Sequence, residues 1–197
     1  MPYIKCISGH TSTRFIQRYL EKNNRALATD FVNIDVPVKG VSDGLEDYEP
    51  FGWWREMDQT RSDFGNDAPW NGQRARTWKH YILSPNPDDD IELGKLRRLT
   101  VAWAQENFND YEVAIVYHDD NANRIPHAHV VVNNTNLSTG YRLQEPDPRA
   151  VKRSIQKLAK GMGLSWFEDA PHSEGVRRTR SAASKQRVHI GRAEKEL

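Results

Sequence analysis

The fold is decided by one continuous stretch, YEVAIVYH at residues 111–118, DDNANR at 119–124 and IPHAHVVVNN at 125–134. Two runs rich in β-branched residues flank a turn rich in Asp and Asn, a pattern that predicts an antiparallel hairpin. Side chains of a strand alternate between its faces, so His127 and His129 share one face. His118 ends the incoming strand, beside this pair across the turn. Three imidazoles that meet at one point of a sheet predict a divalent-metal site with open coordination positions.

The turn offers carboxylates close to these imidazoles. Asp119 or Asp120 could orient a histidine through its second ring nitrogen. Solvated turn residues are the simpler interpretation of both. A lone histidine on a strand usually has a structural role, but a His-X-His pair with a third histidine one strand away favours metal binding.

The histidine motif resembles the signature of a known family. His118-X-Asp120 followed by Pro126-His127-X-His129-X-X-X-Asn133 is similar to the signature of conjugative relaxases, or mobilisation nucleases, in the HUH endonuclease class. The resemblance covers roughly residues 1–160. It implies nicking and religation of one DNA strand at a plasmid or mobile-element transfer origin. It also implies Mg²⁺ or Mn²⁺ on the three histidines, Asp120 as a catalytic carboxylate, and origin DNA and accessory relaxosome proteins as partners.

The nucleophile implied by the resemblance is a tyrosine near the N-terminus. In the first relaxase motif, a Tyr followed by an apolar residue lies in the first helix, and Arg18-Tyr19-Leu20 is similar to it. Tyr19 would then attack the scissile phosphate and form a 5′-phosphotyrosine. Spacing alone favours another role, because Tyr19 belongs to an apolar helical stripe with Phe15 and Leu20 and would pack against the sheet. Replication-type HUH nucleases carry their Tyr well downstream of the histidine pair, and no Tyr follows Tyr141.

Candidate DNA contacts come from the resemblance and from the charge distribution. The second relaxase motif has a Ser or Thr at a strand end, which Ser84 matches, although a turn cap before Pro85 is an alternative. Residues 149–197 hold 12 Lys and Arg against 5 Asp and Glu, whereas residues 1–148 hold 16 against 22. This asymmetry favours phosphate contacts by the basic segment, and a solvated helix face with a disordered tail is the alternative. The candidate DNA-binding residues are Ser84, Asn133, Lys152, Arg153, Lys157, Arg177 and Arg178.

The predicted element order is β-α-β-(insert)-β-α-β-β-α. It indicates an α+β fold in two layers, an open antiparallel sheet of about five strands with helices packed on it. The resemblance supplies the same architecture, the palm of HUH nucleases. Residues 1–165 are expected to form this domain, with an aromatic and polar insert at about 37–75. Residues 166–197 are expected to be basic and flexible, and the natural protein is expected to continue beyond Leu197.

Composition limits the classes of protein. The 197 residues suit one domain with a possible tail, and there is no apolar run of about 18 residues, so no transmembrane helix is predicted. One cysteine and the absence of a signal-peptide pattern fit a cytoplasmic protein. Cys6 lies in an apolar run and is expected to be packed.

Two further functions stay open at this point. A histidine-triad nucleotide hydrolase has three closely spaced histidines on one strand, whereas Val131 occupies the next position on the histidine face here. A catalytically silent DNA-binding accessory protein would lack the HUH histidines or the tyrosine, and the chain has both.

Overall fold

A computed structural model describes residues 2–36, 51–145 and 147–167. Its helices and strands follow the predicted order, with short 3₁₀ turns at Lys22–Asn24 and Pro87–Asp89. The elements are β1 (Tyr3–Gly9), α1 (Thr13–Glu21), β2 (Ala28–Val32), α2 (Trp54–Asp63), β3 (Trp78–Ser84), α3 (Leu93–Phe108), β4 (Tyr111–His118), β5 (His127–Asn136) and α4 (Pro148–Gly161).

The five strands form one antiparallel sheet in the order β1-β3-β5-β4-β2. The predicted hairpin is its centre, since β4 pairs with β5 and His118 lies opposite His127. These two strands have a neighbour on each side and helices above and below, which explains why both read as nearly continuous apolar runs. The predicted α+β class and five-stranded antiparallel sheet are confirmed.

The helices cover both faces of the sheet, so the prediction of two layers was too simple. On one face, α3 and α4 pack against a cluster that includes Tyr81, Ile115 and Val130. On the other face, α1 and α2 pack against Val116 and Val131. The second face is the one that carries the histidines, and its helices therefore determine how the site is enclosed.

The described part of the predicted insert is divided: residues around α2 reach the core, whereas Phe64 and Trp70 are exposed. Trp53 and Met57 are buried and pack in the same cluster as Val131 of β5. Tryptophans at helical spacing are more often core residues than stacking platforms, and Trp53 follows that rule. Residues 37–50 of the insert lie outside the described residues.

One local expectation, that Cys6 is packed, was wrong, and β2 is short for a local reason. It ends at Val32 because Asn33 takes a left-handed conformation with φ of 55°. Its amide then donates to the carbonyl oxygens of Asn109 and Tyr111, at 2.6 and 2.9 Å. Cys6 is exposed, because β1 is an edge strand of the sheet.

Two features bear on the domain organisation. Met1–Phe167 form one compact unit. Within the described ranges, none of the helices has the length and apolar character needed to cross a membrane. The basic segment that follows, including Arg177 and Arg178, lies outside the described residues, and its DNA-binding role stays a prediction.

Candidate metal and nucleophile site

The three histidines of the motif converge on one face of the central hairpin. Nitrogen atoms of His118, His127 and His129, one from each ring, lie within 4.8 Å of one another. The ring centres of His118 and His129 are 4.6 Å apart, and those of His127 and His129 are 5.0 Å apart. The antiparallel register produces this cluster, because His118 pairs directly with His127 and His129 follows two residues later.

His118 has a tautomer fixed by the backbone of α1. Its Nε2 lies 2.8 Å from the carbonyl oxygen of Leu20, which only accepts, so Nε2 carries the proton. Its Nδ1 is buried and has no hydrogen-bond partner among the described residues. Burial lowers the pKa of His118, which keeps the ring neutral. A buried lone pair without a partner is what a metal ligand presents before it is bound.

A fourth histidine, His80, forms a hydrogen bond with His129. The Nε2 atom of His80, on β3, lies 2.9 Å from Nδ1 of His129, which leaves Nε2 of His129 as the ligand atom. Burial lowers the pKa of His80 to about 4 and that of His129 to about 2, so both rings are neutral at pH 7. The sequence did not single out His80. Its only signal is its place on the same face of β3 as Trp78 and Ile82.

His127 is the most open of the three ligands, with 13% of its side chain exposed. Its Nε2 lies 3.6 Å from Oδ1 of Asp120, whose Oδ2 accepts a hydrogen bond from Arg25 at 3.2 Å. Asp119 instead forms an ion pair with Arg124. Of the two carboxylates in the turn, Asp120 therefore faces the histidines. Three converging imidazoles fit a divalent ion, since one has a buried nitrogen without a partner among the described residues and another leaves one side partly open.

Tyr19 lies in the last turn of α1 with 58% of its surface exposed, whereas Ile16 and Leu20 are buried. The apolar stripe of the helix therefore divides, and packing of Tyr19 in the core is wrong. The carbonyl of the next residue, Leu20, is the one that holds His118. The helix end that carries Tyr19 thus reaches the histidine cluster.

Asn133 lies on the same face of β5 as the histidines but is fully buried. Its Oδ1 accepts from Arg61 at 3.1 Å, and its Nδ2 donates to the Met57 carbonyl at 3.0 Å and to Glu112. Arg61 itself is buried and pairs with Asp58. Every part of the Asn133 amide is used within the protein, so the structure does not place this residue on a DNA-binding surface.

The other candidate DNA contacts are divided between the two faces. Ser84 ends β3 one residue beyond the Leu83–Ala128 pair, which puts it at the histidine end of the sheet. Lys152 and Lys157 are exposed on α4, which packs on the opposite face. Arg153 pairs with Asp147 at 2.7 Å. The structure therefore brings Ser84, but not the α4 cations, to the histidine site.

Comparisons with known proteins identify one matching family. The family model "Relaxase: MobA/VirD2-like, nuclease domain" matches residues 39–164. Two solved structures resemble the chain, both of the Mn-bound MobM relaxase domain with plasmid pMV158 oriT DNA, one of them with a 3′-thiophosphate. Both are 12% identical and cover 93% of this chain, with 99% and 98% of theirs covered and TM-scores of 0.48 and 0.46. No curated protein matches the chain. The family match includes the histidines and Ser84 but begins after Tyr19.

Proposed function

The chain belongs to the relaxase family with a MobA/VirD2-like nuclease domain, and we propose that it nicks and rejoins one strand of DNA at a plasmid or mobile-element transfer origin. One observation carries the mechanism: the helix that exposes Tyr19 holds Nε2 of His118, and the other nitrogen of that ring has no partner in the part of the chain that the structure describes. We assign Tyr19 as the nucleophile and the three histidines as metal ligands.

The histidines would hold Mn²⁺ or Mg²⁺, and their imidazole donors favour Mn²⁺, because Mg²⁺ prefers oxygen ligands. Bound there, the ion would act as a Lewis acid toward a nonbridging oxygen of the scissile phosphate. The protein's own part is to aim three imidazoles at one point. Leu20 and His80 do this for His118 and His129. Nδ1 of His127 lies 3.2 Å from the Ile125 carbonyl oxygen, and we assign Asp120, 3.6 Å from Nε2 of His127, as a carboxylate beside the proposed ion.

The proposed step exchanges one phosphodiester for another. The phenolic oxygen of Tyr19 gives up its proton and bonds to phosphorus, and the bond from phosphorus to the 3′ oxygen breaks. The 3′ oxygen leaves with the electron pair and takes up a proton, so the products are a 5′-phosphotyrosine and a free 3′ hydroxyl. Because the number of phosphodiester bonds is unchanged, attack by a 3′ hydroxyl on the adduct rejoins the strand.

Exposure and position support Tyr19 over the other tyrosines that the described ranges expose. Tyr141 is exposed but lies at the far end of β5, where its carbonyl accepts from Asn136. That end is about 23 Å from His129, at about 3.3 Å per strand residue. Tyr3 is also exposed and pairs with Ser84 at the histidine end of the sheet, so it is the competitor that an experiment must test.

DNA recognition is proposed to involve both faces of the domain. Ser84, at the histidine end of β3, is assigned a contact with the strand beside the cut. Lys152 and Lys157 would attract the phosphate backbone farther from the cut. The helix that carries them lies along the start of β1, where Gln156 donates to the carbonyl of Pro2 at 2.9 Å. Arg177 and Arg178 are also proposed to contact DNA phosphates, and accessory relaxosome proteins are proposed partners.

The test uses a pool of single-stranded oligonucleotides with a randomised centre, labelled at the 3′ end in one set and at the 5′ end in another. With Mn²⁺, we expect the 3′ label to migrate with the protein on a denaturing gel. The 5′ label should appear on a shortened free strand. Chelation of the metal should abolish both signals, and sequencing of the protein-linked fragments should identify the preferred cut site.

The alternatives give different results in the same assay. A hydrolytic nuclease shortens the DNA without linking it to protein, and a silent DNA-binding protein leaves both labels on intact strands. A nucleotide hydrolase of the histidine-triad type releases phosphate from a nucleotide substrate and forms no adduct with DNA. Any of these outcomes would contradict the proposed function.

A further inference from the structure

Arg25 closes the C-terminal end of α1 over the histidine site. The last carbonyl groups of a helix have no partner within the helix. Here the guanidinium of Arg25 donates from Nη2 to the Tyr19 carbonyl at 2.6 Å and from Nε to the Leu20 carbonyl at 3.1 Å. The Leu20 carbonyl is the same one that fixes the tautomer of His118. One side chain therefore binds the backbone on which both Tyr19 and His118 depend.

The backbone after α1 is shaped to allow this contact. Asn23 and Asn24 both take left-handed conformations, with φ of 58° and 54°. Asn adopts this region more readily than most residues with a side chain. Two such residues in succession turn the chain back on the helix end, so that Arg25 lies beside the carbonyl groups of the last turn.

The same guanidinium also touches the proposed reacting group and its surroundings. Its central carbon lies 4.7 Å from the centre of the Tyr19 ring, within the range of a cation–π contact. Its Nη1 donates to Oδ2 of Asp120 at 3.2 Å, and the other oxygen of that carboxylate faces His127. Arg25 thus connects the nucleophile's ring, the helix end and the carboxylate beside a metal ligand.

We propose that Arg25 is a positioning residue of the nicking reaction, one that holds the exposed Tyr19 ring in the orientation for attack on a phosphate bound at the histidines. The inference rests on the proposed function. It depends on the planar fork of the guanidinium, which meets two carbonyls, a carboxylate and a ring face at once. A lysine ammonium carries the same charge at a single point and does not reproduce that set of contacts.

The test compares Arg25→Lys with wild type in a single-turnover adduct assay at saturating DNA and Mn²⁺. We expect the rate of adduct formation to fall at least tenfold, while the dissociation constants for DNA and Mn²⁺ change less than threefold. Arg25→Gln is measured in parallel, and both variants are assayed below their melting transitions. The matched control is Arg97→Lys, because Arg97 also bridges a helix to a strand carboxylate, with its Nε 2.9 Å from Asp30.

Three results would overturn the inference. The first is an adduct rate in Arg25→Lys equal to that of the Arg97→Lys control. The second is a loss of DNA affinity that accounts for the slower rate, which would make Arg25 a phosphate contact. The third is a parallel loss of Mn²⁺ affinity, which would make it a support of the metal site alone. A wild-type protein that forms no adduct would instead refute the proposed function.

A spectroscopic measurement tests the contact without activity. In the metal-free protein, the Nε proton of Arg25 should give a slowly exchanging NMR signal, because it is bonded to the Leu20 carbonyl. Replacing the aromatic ring in Tyr19→Leu should shift that signal through loss of the ring current. Rapid exchange in wild type would show that Arg25 does not bond to the Leu20 carbonyl in solution. No shift in Tyr19→Leu would show that Arg25 does not lie against the Tyr19 ring.

Discussion

His80 Nε2 and His129 Nδ1 face each other at 2.9 Å inside the sheet, so that one nitrogen donates and the other accepts. Protonation of both nitrogens would destroy this hydrogen bond and bury two like charges. The pair therefore makes the domain sensitive to acid through residues on two different strands, β3 and β5.

The first prediction concerns the stability of the metal-free protein at low pH. The pKa of His80 is lowered to about 4, mainly by burial, whereas an unfolded histidine titrates near 6.5. Between these values the unfolded chain binds more protons, so the free energy of unfolding should fall as the pH drops from about 6.5 to about 4. The loss from His80 alone could reach about 3 kcal/mol.

Chemical denaturation over this pH range measures the effect. His80→Gln should make the decline less steep, because one of the buried imidazoles that take up a proton on unfolding is removed. A wild-type stability that does not change between pH 6.5 and 4 would contradict the argument.

The second prediction concerns metal affinity. Calorimetric titration of the wild-type protein with Mn²⁺ should show one site. His127→Ala should weaken binding strongly, since it removes a ligand. His80→Ala should reduce affinity about 10–100-fold, because it removes the group that orients His129. His10→Ala is the control. Undiminished affinity in His127→Ala would show that the ion, if bound, lies elsewhere.

The third prediction concerns Tyr19→Phe. The Tyr19 side chain is largely exposed, so the variant should differ from wild type by less than about 0.5 kcal/mol in unfolding free energy. It should bind Mn²⁺ and single-stranded DNA normally but form no adduct, because Phe has no oxygen to bond to phosphorus. The assay is the labelled-oligonucleotide gel followed by peptide mapping of the adduct.

Tyr3→Phe and Tyr141→Phe are the controls and should both nick DNA. A phosphotyrosine mapped to Tyr3 would move the nucleophile to β1 and leave the family assignment intact. Adduct formation by Tyr19→Phe at the wild-type rate would remove Tyr19 from the mechanism altogether.

The fourth prediction concerns the buried arginine of α2. Arg61→Ala removes the buried guanidinium that pairs with Asp58 and donates to the Asn133 oxygen, and breaking a buried ion pair this way costs about 3–5 kcal/mol. Asp58 keeps its hydrogen bonds from Ser12 and Thr13, so the loss should fall at the lower end of this range. The comparison is Arg97→Ala, whose partner is also an aspartate but whose pair is partly exposed. That variant should lose no more than about 1 kcal/mol. Equal losses in the two variants, measured by denaturant titration, would refute a special role for the Arg61 network.

The alternation of side chains along a strand made the cluster of three histidines predictable from sequence. Residues at i and i+2 share a face whatever the rest of the fold does, so His127 and His129 had to point together, and the turn brought His118 back to them. The position of His80 depends instead on the register between β3 and β5, which are separated along the chain by a helix and a strand. No local pattern specifies that register.

Tyr19 illustrates the limit of helical periodicity. Phe15, Ile16, Tyr19 and Leu20 form a broad apolar face, and spacing does not say which half of it is covered. The structure buries Ile16 and Leu20 and exposes Phe15 and Tyr19. The family resemblance, rather than the periodicity, pointed to the exposed half. The contacts of Arg25 could not be predicted from the sequence, because they depend on the left-handed backbone of Asn23 and Asn24.

The metal ligands all lie between residues 118 and 129, whereas His118 and the Leu20 carbonyl that fixes its tautomer are 98 positions apart. A hairpin closes through local contacts and forms quickly, while docking of α1 must wait for contacts across most of the chain. During synthesis the helix that carries Tyr19 emerges long before the strands on which it docks. The hairpin alone brings the three histidines together, whereas the tautomer of His118 is fixed only when α1 docks, so the last step in building the site depends on the most distant contact.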